Sequence, residues 1–160
     1  MTTRLRIESR DITRLRRRIG RMRERANDLI PAWEVAADWL AEQQRIQFDT
    51  EGARWGRPWA PLAQGTLAGK LRRGEPPDIL VRHGALERSL GTRTLSIERL
   101  TPRTMVLGTK VPYAHFHQRG TSRMSARILL DARPVAREGA ISSAVASWIV
   151  NGLPRIRRAR

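Results

Sequence analysis

The stretch FDTEGARWGRPWAPL, residues 48–62, sets a cluster of aromatic residues and glycines directly after a long helical pattern. The glycines and prolines stop the helix, which leaves Trp55 and Trp59 in a loop. Large aromatic side chains in a loop either close the edge of a hydrophobic core or anchor a partner protein. The stretch therefore predicts a helix end that two indole rings tie to the core or to a neighbouring chain.

Two amphipathic helices are predicted upstream of this stretch. Asp11 is the expected N-cap of the first helix, and the second begins at Pro31 and ends near residues 50–52. The apolar face of the first helix consists of Ile12, Leu15, Ile19, Met22 and Ala26. The side chains that the second helix turns inward are Trp33, Ala36, Ala37, Leu40, Gln44 and Phe48. A short strand at Leu5 and Ile7 is predicted before both helices.

Each of these helices also carries a row of charges, and the two rows have opposite sign. The basic row on the first helix is Arg14, Arg18, Arg21 and Arg25. The acidic row on the second helix is Glu34, Asp38 and Glu42. Spacings of three and four place each row on one helix face. The rows are either solvated faces or surfaces that meet, within a folded-back helix pair or between subunits. Trp39 lies off the inward row of the second helix and is a further candidate for a subunit contact.

Short helices and one β-hairpin are predicted after residue 62. The expected helices cover residues 66–71, 84–90 and 111–118, and the expected strands cover 92–98 and 104–109, joined through Pro102. A last helix opens at Pro134, ends at Gly152 and turns Val135, Ile141, Val145, Trp148 and Ile149 inward. The fold class is therefore α+β, with an N-terminal helix pair and a C-terminal helix packed on a small, mostly antiparallel β-sheet. Residues 1–152 are expected to form one domain, followed by a basic tail, residues 153–160.

Composition excludes several classes of protein. The 160-residue chain has no cysteine, so it has neither disulfides nor cysteine-based zinc sites. No apolar run reaches the roughly 20 residues that cross a bilayer. Met1 and the residues after it lack the apolar core of a signal peptide, so we expect a cytoplasmic place of synthesis and no membrane partner.

The net charge of +16 is the most unusual compositional feature, and 29 of the 31 basic residues are arginines, since Lys70 and Lys110 are the two lysines. Such a surplus attracts polyanions through counterion release. The arginines can equally cover solvated faces, form ion pairs with neighbouring subunits, or follow from the base composition of the source genome. Nucleic-acid binding is therefore one of several interpretations of the charge.

The chain shows no pattern typical of an active site. His115 and His117, spaced by two on a predicted helix, point to different faces, and His83 has no acidic residue at a ligand-like spacing. Nucleophile elbows, phosphate-binding loops and dinucleotide fingerprints are all missing from the sequence. Glu75 and Asp78 lie among prolines in residues 72–78 and are expected to be solvent-exposed turn residues. We therefore expect no enzymatic activity, no cofactor and no metal ion.

A second stretch, YAHFHQRGT at residues 113–121, follows the predicted hairpin and contributes Tyr113, His117, Gln118 and Gly120. Between the two stretches lie Ile79, Leu80, Gly84, Leu86, Ser89 and Leu90. This order of helix, F…G..W..L, IL…G.L..SL, hairpin and YA..HQ.G resembles the virion morphogenesis or tail-completion proteins of tailed bacteriophages. The resemblance covers roughly residues 4 to 150.

The resemblance implies a small α+β protein without enzymatic activity that assembles as a ring, with six copies expected, at the head–tail junction or the tail end. Its implied partners are further copies of the chain, other phage neck and tail proteins, and DNA passing through the ring. The implied location is the virion, assembled in the host cytoplasm. A short helix and a glycine turn are implied before a closing strand. Many relatives have proline, any residue, arginine, proline, phenylalanine and leucine there; this chain has SARILL, residues 125–130, which keeps Arg127 as an assembly candidate.

A cytoplasmic nucleic-acid-binding protein is the alternative from a different class, with the arginines of residues 10–25 lying in a groove of the nucleic acid. The apolar residues on the same helix count against it, because they are expected to be buried in a core.

Overall fold

The predicted helix pair is present in the computed structural model, which describes residues 9–137 and 139–156. Helix α1 spans Ser9–Asn27 and helix α2 spans Ile30–Asp49, with Pro31 in the first turn of α2. The Asp28 carboxylate, one residue before the N-cap Leu29, accepts a hydrogen bond from the Ile30 backbone N–H at 3.1 Å. Since α1 already includes Ser9, Asp11 lies in the first helical turn and is not the N-cap. The strand predicted at Leu5 and Ile7 lies outside the described residues.

Helix α2 is the central element of the fold and packs against α4 and α8. Its buried side chains are Ala32, Ala36, Ala37, Ala41, Gln43, Gln44, Gln47 and Phe48. The predicted inward face is thus confirmed at Ala36, Ala37, Gln44 and Phe48, whereas Trp33 and Leu40 are only half-buried. Four alanines on one face let neighbouring helices approach the α2 backbone closely.

Short elements follow α2, and most of them lie where the sequence predicts them. A 3₁₀ turn spans Ala53–Trp55, and helices α3, α4 and α5 span Gln64–Arg72, Ala85–Gly91 and Arg93–Ser96. Strands β1 and β2 span Ile97–Thr101 and Thr104–Leu107, and helix α6 spans Ala114–Arg119. The chain ends in helices α7, Ala132–Arg137, and α8, Ala140–Asn151.

The hairpin is antiparallel, with Leu100 opposite Met105 and Thr101 opposite Thr104, and its register is irregular between Ile97 and Arg99. The first strand was expected from residue 92, but Arg93–Ser96 form a helical turn, so the strand starts at Ile97. The closing strand that the resemblance implies is also missing from the described residues, where β1 and β2 make a two-stranded sheet. An isolated bridge between Thr121 and Met124 is the one strand-like contact in that later region.

The C-terminal helical region is two helices, whereas the sequence predicts one helix from Pro134. Gly139 separates them with φ = 64°, a left-handed conformation that breaks the helical path. The C-terminal helical region ends where the sequence predicts, because Gly152, with φ = 74°, stops α8. The Trp148 indole, predicted to be core, is half-buried and donates to the Asp28 carbonyl at 2.7 Å and the Arg25 carbonyl at 3.1 Å.

The hydrophobic core lies between α2, α4, α6 and the loops beside them. Its buried members are Phe48, Trp59, Ile79, Leu86, Leu90, Ala114 and Leu129. The α+β class is thus confirmed, with helices forming most of the layers around a minimal sheet. None of the helices in the described ranges is both long and apolar enough to cross a membrane.

Candidate assembly site

The two stretches that stand out in the sequence meet in space through the segment at residues 127–130. The Ile128 carbonyl accepts hydrogen bonds from the Trp59 indole N–H at 3.0 Å and from the Gln47 side-chain amide at 3.2 Å. The Arg127 backbone N–H donates to the His117 carbonyl at 2.7 Å. The segment is therefore held from the α2 side by the first stretch and from the α6 side by the second.

Gln118 fastens the same segment with its side-chain amide. Its Oε1 accepts from the backbone N–H groups of Leu129 at 2.7 Å and Leu130 at 3.1 Å. Its Nε2 donates to the Leu130 carbonyl at 2.7 Å. One amide thus satisfies three backbone groups of an irregular segment, the task that a neighbouring strand performs in a sheet.

Gly120 turns the chain from α6 into this segment. Its φ of 74° and ψ of 178° fall in a region that is essentially restricted to glycine. A Cβ placed there would lie 2.8 Å from the Ala126 nitrogen and 2.9 Å from the Met124 carbonyl oxygen. Both contacts are to backbone, which cannot move aside, so the position requires glycine.

Arg127 is buried and holds two parts of the folded chain together, and its role in a subunit contact stays a prediction. Arg127 is 8% exposed. The guanidinium donates to the Ala60 carbonyl through Nε at 3.0 Å and Nη2 at 2.9 Å, and to the Pro61 carbonyl at 3.3 Å. Burial lowers the pKa of the Arg127 guanidinium, because its charge is taken out of water. The side chain therefore ties the segment at residues 127–130 to the end of the first stretch, residues 48–62.

His117 lies beside this arginine and is best described as a neutral structural histidine. Burial, and then the charge of Arg127, lower the pKa of its imidazole. Its Nδ1 is buried without a hydrogen-bond partner, and the Tyr113 ring meets it edge-on with centroids 6.0 Å apart. Within residues 9–137 and 139–156, no group of three or more metal-binding side chains is placed to hold an ion.

The two loop tryptophans, which the sequence leaves as either core-edge or partner-anchoring residues, are buried in the core. Trp59 is 5% exposed and packs edge-on against Phe48 with ring centroids 5.2 Å apart. Trp55 is also buried, and the Arg54 guanidinium lies 4.5 Å from its ring centroid. Of the alternatives that the sequence leaves open, the structure therefore favours closure of the core's edge. Trp39 is half-buried, and its role in a subunit contact stays a prediction.

Helix α1 presents both of its rows to solvent. Ile12, Leu15 and Ile19 are 48%, 57% and 54% exposed, so the expectation that they face a core is wrong within this chain. The basic-row residues Arg14, Arg18 and Arg21 are exposed beside them. The apolar row is open because α1 packs mainly against α8.

Arg25, the last member of the basic row, has a different role from the other three. Its Nη1 donates to the carbonyls of Ile149 at 3.3 Å and Val150 at 3.2 Å, at the C-terminal end of α8. A cation is favourable there because the last carbonyls of a helix lack helical partners. Arg25 therefore attaches the C-terminal end of α1 to α8.

The acidic row of α2 does not meet the basic row within the described residues. Asp38 pairs with Arg93 at 3.2 Å and Glu42 pairs with Arg45 at 2.6 Å. Glu34 is exposed. Of the two ways in which the rows could meet, pairing between subunits is the one that stays a prediction.

Glu75 differs from the solvent-exposed turn residue that the sequence suggests. Its side chain is 9% exposed and accepts hydrogen bonds from Arg73 at 2.8 and 3.1 Å and from Arg82 at 2.9 Å. These bonds lower the pKa of the Glu75 carboxyl to about 2. Its two arginine partners are close in space because the chain turns back on itself between them.

A protein-family model matches most of the chain. The model of the phage virion morphogenesis family matches residues 10–144, a span that includes both stretches and the segment between Gly120 and Leu130. The chain belongs to this family. No curated protein and no solved structure matches it significantly. The resemblance noted in the sequence is therefore confirmed, and the chain is a virion structural or assembly protein.

Sequence reasoning missed Gln47 and Lys70 among the buried polar residues of this virion morphogenesis protein. Gln47 is fully buried and holds Ile128, and Lys70 donates to the carbonyls of Asp78 and Val81. Gln43, Gln44 and Gln47 follow one another at helical spacing, which is a detectable signal of an inward polar face. The apolar residues around Lys70 gave no comparable signal, because its carbonyl partners lie in an irregular loop.

Proposed function

We propose that the protein is a ring-forming neck or tail-completion subunit that joins the DNA-filled head to the tail. The open apolar row of α1 is the observation that carries this proposal. Three large aliphatic side chains, each about half exposed, lie in line on a helix that its own chain covers poorly. In a protein whose family builds virions, such a row fits a contact completed on assembly.

The proposed contact is heterologous: α1 of one subunit docks on the acidic row of α2 in the next. Pairing of two α1 helices is disfavoured, because each carries eight arginines against Asp11 and Glu24, a net charge of +6. An acidic helix removes that repulsion and sets the register of the contact. Contacts between unlike surfaces close into a ring when the rotation between subunits allows it. Six copies is the number that the resemblance suggests.

The test is quantitative mass spectrometry of purified virions, followed by electron microscopy of the particles. We expect a few copies per virion, found in a ring at the head–tail junction or tail end. Absence from mature particles would overturn the proposal, and so would a copy number as high as that of a capsid or tube protein. The purified protein should also self-associate, and Leu15→Asp should weaken that association while its fold, followed by circular dichroism, is unchanged.

The alternative of nucleic-acid binding is favoured by the exposed charge of the same helix. The sequence argument against it is weaker in the structure, since the apolar row of α1 is not buried in its own core. Duplex binding through this helix predicts an affinity that falls steeply with salt, because neutralised phosphates release counterions. Titration of a DNA duplex at several salt concentrations separates this function from pure subunit pairing.

A further inference from the structure

A groove of about 770 Å³ lies between α3, the loop before α4 and the turn after α6. Five basic side chains line it against a single carboxylate: Lys70, Arg73, Arg82, Arg123 and Arg127, with Glu75. Its walls also include apolar side chains from Leu62, Leu80, Val81 and Met124. The groove therefore combines a strongly positive lining with hydrophobic surface.

Two of the basic side chains that line the groove are buried and, in the part of the chain that the structure describes, have no carboxylate partner. Lys70 is 7% exposed and Arg127 is 8% exposed. Lys70 donates only to backbone carbonyls, those of Asp78 at 2.8 Å and Val81 at 2.5 Å, and Arg127 only to those of Ala60 and Pro61. Buried charges are costly unless a counter-charge compensates them. Neutral carbonyls supply part of that compensation, and an anion in the groove would supply the rest.

The single carboxylate in the lining does not fill that role. Glu75 is already held by Arg73 and Arg82 at the rim. The guanidinium of Arg127 still has a free end, because its Nη1 donates no hydrogen bond within the described residues and is not sealed from solvent. Leu80, in the same lining, adopts φ = 64°, a left-handed conformation uncommon for a bulky residue. The lining thus offers a hydrogen-bond donor, and its one carboxylate, Glu75, is already paired.

We infer that this groove binds an acidic peptide segment of a partner protein, with a carboxylate directed at Arg127 and apolar side chains against Leu80 and Met124. The chain's own C-terminal residues are unsuitable occupants, because residues 153–160 contain four arginines and no acid. A duplex presents mainly its charged phosphate backbone, which would leave most of the apolar walls unused. The inference goes beyond ring formation, since it requires a partner segment and holds whether or not the subunits close into a ring.

The experiment is an NMR titration of the ¹⁵N-labelled protein with the acetylated, amidated peptide Leu-Asp-Leu-Glu. We expect shifts of the backbone amides that line the groove, and a much weaker response to the Leu-Asn-Leu-Gln peptide. Arg123→Glu, at the exposed rim, should weaken binding about threefold or more. The matched control is Arg119→Glu, an exposed reversal outside the lining, and should leave binding unchanged.

Several results would overturn the inference. These are equal binding of the neutral peptide, equal loss in both variants, no response at millimolar peptide, and shifts centred on α1. Inorganic phosphate and a short DNA duplex are titrated in parallel. A groove response to phosphate as strong as that to the peptide would indicate a simple anion site. A stronger response to the duplex would indicate nucleic acid as the occupant.

Discussion

Gln118 and Leu130 are joined by a pair of hydrogen bonds that imitates one rung of a β-ladder. The Leu130 N–H donates to Oε1 at 3.1 Å and the Gln118 Nε2 donates to the Leu130 carbonyl at 2.7 Å. A second backbone N–H, that of Leu129, uses the same Oε1 at 2.7 Å. Helix α6 thus supplies by one side chain the pairing that a third strand would have supplied.

Replacement of Gln118 by leucine should lower the free energy of unfolding by about 2–4 kcal/mol. The substitution leaves three backbone groups without partners, and unmet buried groups cost about 1–3 kcal/mol each, less where water reaches them. Urea denaturation measures the change. The control is Gln64→Ala at the exposed start of α3, which should stay within about 0.5 kcal/mol of the parent. Equal effects in the two variants would contradict the role of Gln118.

Three glycine-to-alanine substitutions should give three different results. Gly120→Ala should cost about 3 kcal/mol or more, because it combines a forbidden conformation with two backbone clashes. Gly56→Ala, with φ = 71° and open space, isolates the conformational cost of about 1 kcal/mol. Gly20→Ala, in open space within α1, should stabilise the protein by about 0.5–1 kcal/mol. Thermal unfolding orders the three variants, and a Gly120→Ala protein as stable as Gly56→Ala would refute the clash.

Stability should fall as the pH drops through the range in which an unfolded histidine gains its proton. The pKa of His117 is lowered in the folded chain from the ordinary value of 6.5, so below about that pH the unfolded chain binds more protons. The melting temperature should therefore decrease from neutral pH toward acid. His117→Asn should reduce this decrease. The control is His115→Gln, at an exposed position, which retains His117 and should retain its contribution.

A second pH effect should appear at lower pH and come from Glu75. Its pKa is about 2 in the folded chain against an ordinary 4.5, so its stabilising contribution is complete above about pH 4.5 and is lost as the pH falls toward 2. Glu75→Gln should be less stable than the parent at neutral pH, and the difference should shrink across that window. A constant difference at every pH would show that the charge of Glu75 is not involved.

Reversing the three exposed arginines of the basic row should block self-association and leave the monomer folded. The variant is Arg14→Glu with Arg18→Glu and Arg21→Glu; Arg25 is retained because it holds α8. Each exposed pair contributes only about 0.2–1 kcal/mol, so single changes should be mild. Analytical ultracentrifugation measures association, and reversing Glu34, Asp38 and Glu42 to arginine in the same chain should restore it in part.

Two comparisons make this experiment decisive. Reversal of Arg16, Arg17 and Arg23 changes the charge of α1 equally at exposed positions outside the row, and should affect association less. Duplex binding is measured for the same variants. Loss of duplex binding in the row variant, without rescue from the acidic row, would favour the nucleic-acid alternative.

The sequence predicts the elements whose patterns repeat locally. Helix α2 was predictable because Ala36, Ala37, Gln44 and Phe48 share a helical face, and the hairpin because Pro102 separates two runs of strand-forming residues. Periodicity shows which side of a helix is apolar and says nothing of what covers it. The exposed row of α1 therefore could not be predicted.

The missed features depend on contacts between residues distant in the chain or on a single backbone conformation. Gly139 breaks the last helix through one positive φ, which apolar spacing does not record. The partners of Gln118 and Arg127 lie in irregular backbone, so no repeat marks them. The family resemblance located Gln118 and Gly120, but the hydrogen bonds of Gln118 and the backbone clash that requires glycine at position 120 are visible only in the structure.

The C-terminal end of α1 is held by hydrogen bonds to two other parts of the chain. Just after the helix, the Leu29 backbone N–H donates to the Pro102 carbonyl at 2.9 Å, and the side chains of Arg25 and Trp148 connect the end of α1 to α8. The apolar row lies further out, and Ile12 is thirteen residues from Arg25 along the helix. At 1.5 Å per residue the two are separated by about 20 Å. Because α1 is fixed at its C-terminal end, its length sets the distance between the body of the protein and a partner that docks on its N-terminal half. Seven added residues would lengthen that reach by about 10 Å and keep nearly the same face toward the partner.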